Sequence, residues 1–123
     1  MKHFNNRYSQ AFILSCSFTI LLICHEQANA APAAADLLQA CEQSLHDGFQ
    51  GMEGDLCTWY VTPCDCNYGT ASDLPRVCLP DSVPVETLAR KVIAGLREDP
   101  ELQYQPADYA AAIILSRDYP CIE

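Results

Sequence analysis

The sequence predicts an all-α fold, a small disulfide-stapled bundle of about four helices, on three observations. Apolar residues recur at helical spacing in four separate stretches. Six cysteines remain once an N-terminal leader is set aside, and an even count in a short exported chain reads as a disulfide framework. No stretch alternates polar and apolar residues as a half-buried strand does.

Residues 1–30 read as a secretory signal peptide. Lys2 and Arg7 make a positive start, Ala11 to Cys24 is a nearly unbroken apolar run, and Ala28-Asn29-Ala30 supplies a small-x-small cleavage site. That run falls short of the ~20 residues a membrane-spanning helix needs. Ile13-Leu14-Ser15-Cys16 and Leu22-Ile23-Cys24 loosely resemble a lipobox. Too little apolar sequence precedes the first, and a bulky Ile stands before the cysteine of the second. The expectation is a domain over residues 31–123, exported to the periplasm and free of the membrane after cleavage.

The chain has 7 Lys and Arg against 16 Asp and Glu, a formal charge of −9. Removing Lys2, Arg7 and Glu26 with the leader leaves five basic and fifteen acidic residues, a charge of −10. Nucleic acid and anionic lipid both demand positive charge at the contact, so neither is an expected partner. A basic protein partner fits, and so does a plain solubilising surface.

Cys16 and Cys24 leave with the signal, which keeps Cys41, Cys57, Cys64, Cys66, Cys78 and Cys121. Six cysteines allow fifteen pairings, among which the residues alone do not choose. A domain this small buries only roughly 60–70% of its unfolded surface, so its core is marginal and cross-links matter.

The first helix runs from Ala33 to Asp47, with Leu38, Cys41 and Leu45 on one stripe, and Gly48 ends it where positive φ is wanted. Gly51 to Thr62 is a second, weaker helix, in which Met52, Leu56 and Tyr60 repeat every four residues and Pro63 stops the run. Cys64 to Val77 is a loop, rich in turn residues and without a period. Val85 to Glu98 is the clearest helix. Val85, Leu88, Val92 and Leu96, with Ala89 and Ile93 beside them, make a wide core-facing stripe. Pro84 and Glu86 suit its start, and Asp99-Pro100 ends it. Pro106 opens a last helix to about Asp118, whose Ala107, Ala110 and Ala111 suit close helix–helix approach.

A search for chemistry finds no catalytic constellation and no cofactor motif, so the chain reads as a non-enzyme. After the leader only His46 remains among the histidines, and no serine sits in a nucleophile-elbow context. A zinc site from His46, Cys57, Cys64 and Cys66 lacks the usual C-x-x-C spacing, and export favours disulfides. The cluster Met52, Leu56, Trp59 and Tyr60 reads first as an ordinary core stripe and second as a binding face. Candidate contacts for a basic partner are Asp65, Tyr68 and Asp73 on the loop, with Trp59 beside it.

The C-terminal half carries a resemblance. Cys78-Leu79-Pro80, Val83, the helix with Leu88, Val92 and Leu96, Pro100-Glu101, the alanine-rich run Ala107 to Leu115, and Tyr119-Pro120-Cys121 follow in order. This series resembles the Tai-like periplasmic immunity proteins that protect bacteria from type VI secretion amidase effectors. Leu37-Leu38 with Cys41, and Leu56-Cys57 with Tyr60, look like that family's N-terminal part. The resemblance implies a small all-helical domain, often a homodimer, that binds an amidase toxin and blocks its cleft. It also implies two bridges, Cys41 to Cys57 and Cys78 to Cys121, with Cys64 and Cys66 as an additional local pair or bonded elsewhere. The chain departs from the pattern at Thr62-Pro63-Cys64, where the family's second helix runs on through small residues. An acid-stress chaperone of the envelope and a purely structural envelope protein are the other readings that this composition allows.

Overall fold

A computed structural model describes residues 31–63 and 74–122. The leader, residues 1–30, and the segment 64–73 with Cys64, Asp65, Cys66, Tyr68 and Asp73 lie outside the described residues. The elements are α1 (Ala34–Asp47), α2 (Gly51–Val61), α3 (Val85–Glu98), a 3₁₀ turn (Pro100–Tyr104) and α4 (Ala107–Asp118). The described residues contain four α-helices and no strand, which is the fold class expected.

Each helix begins and ends for a local reason. The Ala33 N–H donates to the Asp36 carboxylate at 3.1 Å, which occupies a donor that the start of α1 leaves open. Gly48 closes α1 in the left-handed region at φ 69°, and Phe49 follows at φ 62°. In α3, Glu86 stands in the first turn and Arg97 in the last, each favourable to the helix dipole. Past Asp99 the chain does not simply turn away, as the Asp-Pro pair suggested. It continues through the 3₁₀ turn, because Pro100 suits a first helical position and Leu102 reaches the core. Gln103 Nε2 ties that turn back to the Leu96 carbonyl at 2.8 Å.

The core gathers Leu37, Val61, Leu88, Val92, Leu96 and Leu115, all essentially without exposure. The stripe of α1 keeps Cys41, as periodicity suggested, but its flanking positions lie one residue earlier. Leu37, Ala40, Cys41 and Ser44 are buried, while Leu38 and Leu45 pack at the margin. The larger correction concerns α2, whose buried side is Gly54, Cys57 and Val61. Met52 and Trp59 are 81% and 56% exposed, so of the stripe read as core only Leu56 and Tyr60 are partly buried, Tyr60 against the core.

Two close approaches decide this geometry. A Cβ on Gly54 would lie 2.3 Å from the Phe49 carbonyl carbon, so only glycine lets the α1–α2 turn fold back onto α2. A Cβ on Gly95 would lie 2.7 Å from Ile114 side-chain atoms, which shows how tightly α3 and α4 pack. The alanines of α4 serve the same approach.

Both bridges implied by the resemblance are present. Cys41–Cys57 lies wholly in the core between α1 and α2. Cys78–Cys121 joins the segment before α3 to the residues after α4. Beside it the Cys78 N–H donates to the Tyr119 carbonyl at 2.9 Å, and Val77 pairs with Pro120. At the opposite margin, Ala34 N–H donates to Gln105 and Ala107 N–H to Pro32, strapping the start of α1 to the start of α4.

Candidate partner interface

Two faces of the described residues present grouped side chains to a partner. The first is the outer side of α2. At 100° per residue, Met52, Asp55, Leu56 and Trp59 fall opposite Gly54, Cys57 and Val61. Leu56 is half-buried and its two apolar neighbours are largely exposed. Glu53 and Asp55 are exposed on the same helix, and neither takes part in an ion pair among the described residues. The helix carries no Lys or Arg. It is therefore apolar on its inner and outer sides, with a carboxylate on each flank of the outer strip. An apolar strip rimmed by polar residues is the usual mark of an interaction surface.

The far end of α2 is held more firmly. Thr62 N–H and Thr62 Oγ1 both donate to the Thr58 carbonyl, which finishes the helix before Pro63. Tyr60 is partly buried toward α4. Burial first, and the Asp108 carboxylate second, push its hydroxyl pKa above the usual tyrosine value.

The second face is a groove of about 520 Å³ between α1 and α3, lined by Glu42, Leu45, His46, Arg90, Ile93 and Arg97. Arg97 donates from Nε at 3.1 Å and from a terminal nitrogen at 2.5 Å, both to Glu42 Oε1. Arg90 is paired with Glu86 at 2.8 Å along its own helix. Both cations are thus already engaged by carboxylates of this chain, and the groove offers a partner little unspent charge.

The structure distributes the candidate residues accordingly. Cys41, Cys57, Cys78 and Cys121 are all bonded in disulfides, and Cys57 is thereby removed from the zinc alternative. Trp59 is on the outer side of α2, while Asp65, Tyr68, Asp73, Cys64 and Cys66 lie outside the described residues. Sequence reasoning noticed Met52 and Leu56 but ranked them as core. The signal that separates the two readings is α2 itself, with apolar residues on both its inner and its outer side where a surface helix should be one-sided. Tyr104, 83% exposed on the 3₁₀ turn, had no periodic signal to announce it.

A family model described as Rap1a immunity proteins matches residues 33–121. No curated protein and no solved structure matches the chain. The matched span contains all four helices and both described bridges.

Proposed function

Because this chain belongs to the Rap1a immunity proteins, a family of immunity against type VI secretion effectors, we propose that it neutralises a peptidoglycan amidase by binding over the active site, in the periplasm. The family match over residues 33–121 is the observation that carries the binding role. The amidase as target is supported by the resemblance running from Cys78-Leu79-Pro80 to Tyr119-Pro120-Cys121, and the periplasm by the leader-like residues 1–30.

Physical chemistry favours an inhibitor built this way. A cognate inhibitor must bind tightly, and ordering loose segments on binding subtracts from affinity. Here one bridge fixes α2 to α1, and the other closes the ends of the α3–α4 half. The surface is shaped before the partner arrives.

The test is co-expression. A hydrolase encoded beside this gene is the first candidate, and it is sent to the periplasm with and without this protein while lysis is followed. Protection that disappears when residues 1–30 are deleted supports the proposal. Lysis despite a folded, exported protein would overturn it. The exposed Met52 and Trp59 also suit a chaperone-like protein. That reading predicts broad, weak binding of unfolded clients and no protection against a particular hydrolase.

A further inference from the structure

We propose that the outer side of α2 is the surface that enters the effector, with Met52, Leu56 and Trp59 as its apolar anchors and Glu53 and Asp55 as the charges on its two flanks. The receiving cleft is accordingly apolar with a cationic rim. This rests on the immunity reading above and names the surface and the partner chemistry through which it works.

The spacing comes first. Met52, Leu56 and Trp59 stand at i, i+4 and i+7 on one side of a helix. That is the register with which a helix lays its apolar side into a groove. The residue types fit as well. Tryptophan and methionine are enriched at protein interfaces, and a central tryptophan is among the commonest residues to dominate binding. A small acidic domain gains nothing in its own core from a methionine that is 81% exposed.

Charge selects the occupant. Glu53 and Asp55 have no counter-ion among the described residues, and the helix has no cation. A second copy docking α2 against α2 about a two-fold axis would bring both carboxylate pairs together, which disfavours self-association there. A cationic rim satisfies them instead. The α1–α3 groove lacks this property, because Arg90 and Arg97 are already paired with Glu86 and Glu42.

Attachment completes the case. Gly54 seats α2 against the Phe49 backbone and Cys57 bonds it to α1, so the ridge is presented rigidly. Binding then costs little ordering of the backbone.

The experiment measures binding of this protein to the purified amidase against which it protects in the co-expression test, by surface plasmon resonance at two salt concentrations, with urea unfolding to confirm that each variant is folded. Trp59→Ala and Met52→Glu are each expected to weaken binding by at least about thirtyfold, as loss of a dominant anchor does. Glu53→Lys with Asp55→Lys is expected to slow association about tenfold at low salt, an effect that fades at high salt. Arg90→Glu, across the molecule, should stay within about twofold. Folded Trp59→Ala and Met52→Glu proteins that bind within about threefold of wild type would overturn the docking surface while leaving the immunity function standing. So would a Trp59→Ala protein that dissociates a dimer of this chain yet binds the amidase normally. Failure of the wild type itself to bind would overturn the immunity reading and this surface together.

Discussion

Two glycines inside helices give the sharpest check on the packing, because helix propensity and tertiary contact predict opposite signs for the same change. Replacing glycine by alanine within a helix is worth about 1 kcal/mol of stability when nothing else intervenes. At Gly95 the new methyl would meet Ile114 side-chain atoms at 2.7–2.8 Å, and that side chain is itself 95% buried. Overpacking of this kind costs about 1–3 kcal/mol, so Gly95→Ala should lose about 1 kcal/mol net. At Gly54 the obstacle is backbone, with the Phe49 carbonyl carbon at 2.3 Å and its oxygen at 2.4 Å. Ordinary contact begins near 3.4 Å, so α2 must retreat by roughly 1 Å. That retreat loosens Cys57 and Val61 together, and the net loss should reach about 3 kcal/mol. In urea, with both bridges intact, a 3 kcal/mol loss at constant slope lowers the midpoint by about 2 M. Ile114→Ala should cost about 3 kcal/mol alone but less on the Gly95→Ala background, where the added methyl fills part of the vacated space. A Gly54→Ala protein as stable as wild type, or one that suffers less than Gly95→Ala, would refute this account of the α1–α2 turn.

Three further outcomes follow from particular side chains. Cys78 is exposed whereas Cys41 and Cys57 have no exposure, so mild thiol treatment and alkylation should label Cys78 and Cys121 well before the other pair. Simultaneous labelling, read by mass spectrometry, would contradict that order. The raised pKa of Tyr60 means that the folded state holds the phenolic proton more tightly than the unfolded chain. Its contribution is complete below the unfolded value near 10 and is lost as pH climbs through the folded value. Stability measured in urea should fall across that alkaline window, and less steeply in Tyr60→Phe. Ser44 is fully buried, yet its hydroxyl donates to the Ala40 carbonyl at 2.6 Å within its own helix. Removing it strands no other group, so Ser44→Ala should change stability by no more than about 0.5 kcal/mol by thermal or urea unfolding.

The legible parts of this fold are those where local pattern and tertiary need agree. α3 begins and ends where periodicity, Pro84 and Asp99 placed it, because its stripe of Leu88, Val92 and Leu96 is also its core side. The bridges followed from the resemblance rather than from the residues, since fifteen pairings satisfy the same six cysteines. The 3₁₀ turn was hidden because Asp99-Pro100 reads as a stop, while the reason to continue is Leu102, a single side chain seeking the core. In α1 the positions flanking Cys41 were displaced by one residue, because Leu37 and Leu38 are equivalent to a periodicity count. Only the neighbouring helices distinguish them. In the candidate interface, Trp59 could be named from sequence, but its role depended on which way α2 rolls.

That roll has a physical cause that also explains how a small domain tolerates an apolar exterior. The inner side of α2 is a glycine, a cysteine and a valine, which together remove little apolar surface from water. Packing alone would favour turning Met52, Leu56 and Trp59 inward. Two features oppose this. Gly54 admits the Phe49 backbone so closely that any larger residue forces the two apart, and Cys57 is bonded to Cys41 across a 16-residue separation. In the chain-entropy account that bond stabilises the fold by about 3 kcal/mol through the unfolded state, while its geometry holds the Cys57 side of α2 against α1. A covalent bond thus fixes for α2 the inward side that hydrophobic burial fixes for α3, and Met52 and Trp59 stay largely exposed. The corollary is that reducing Cys41–Cys57 should not merely loosen the domain. It should remove the constraint that keeps Met52 and Trp59 outward, so affinity for the effector should fall before the helices are lost.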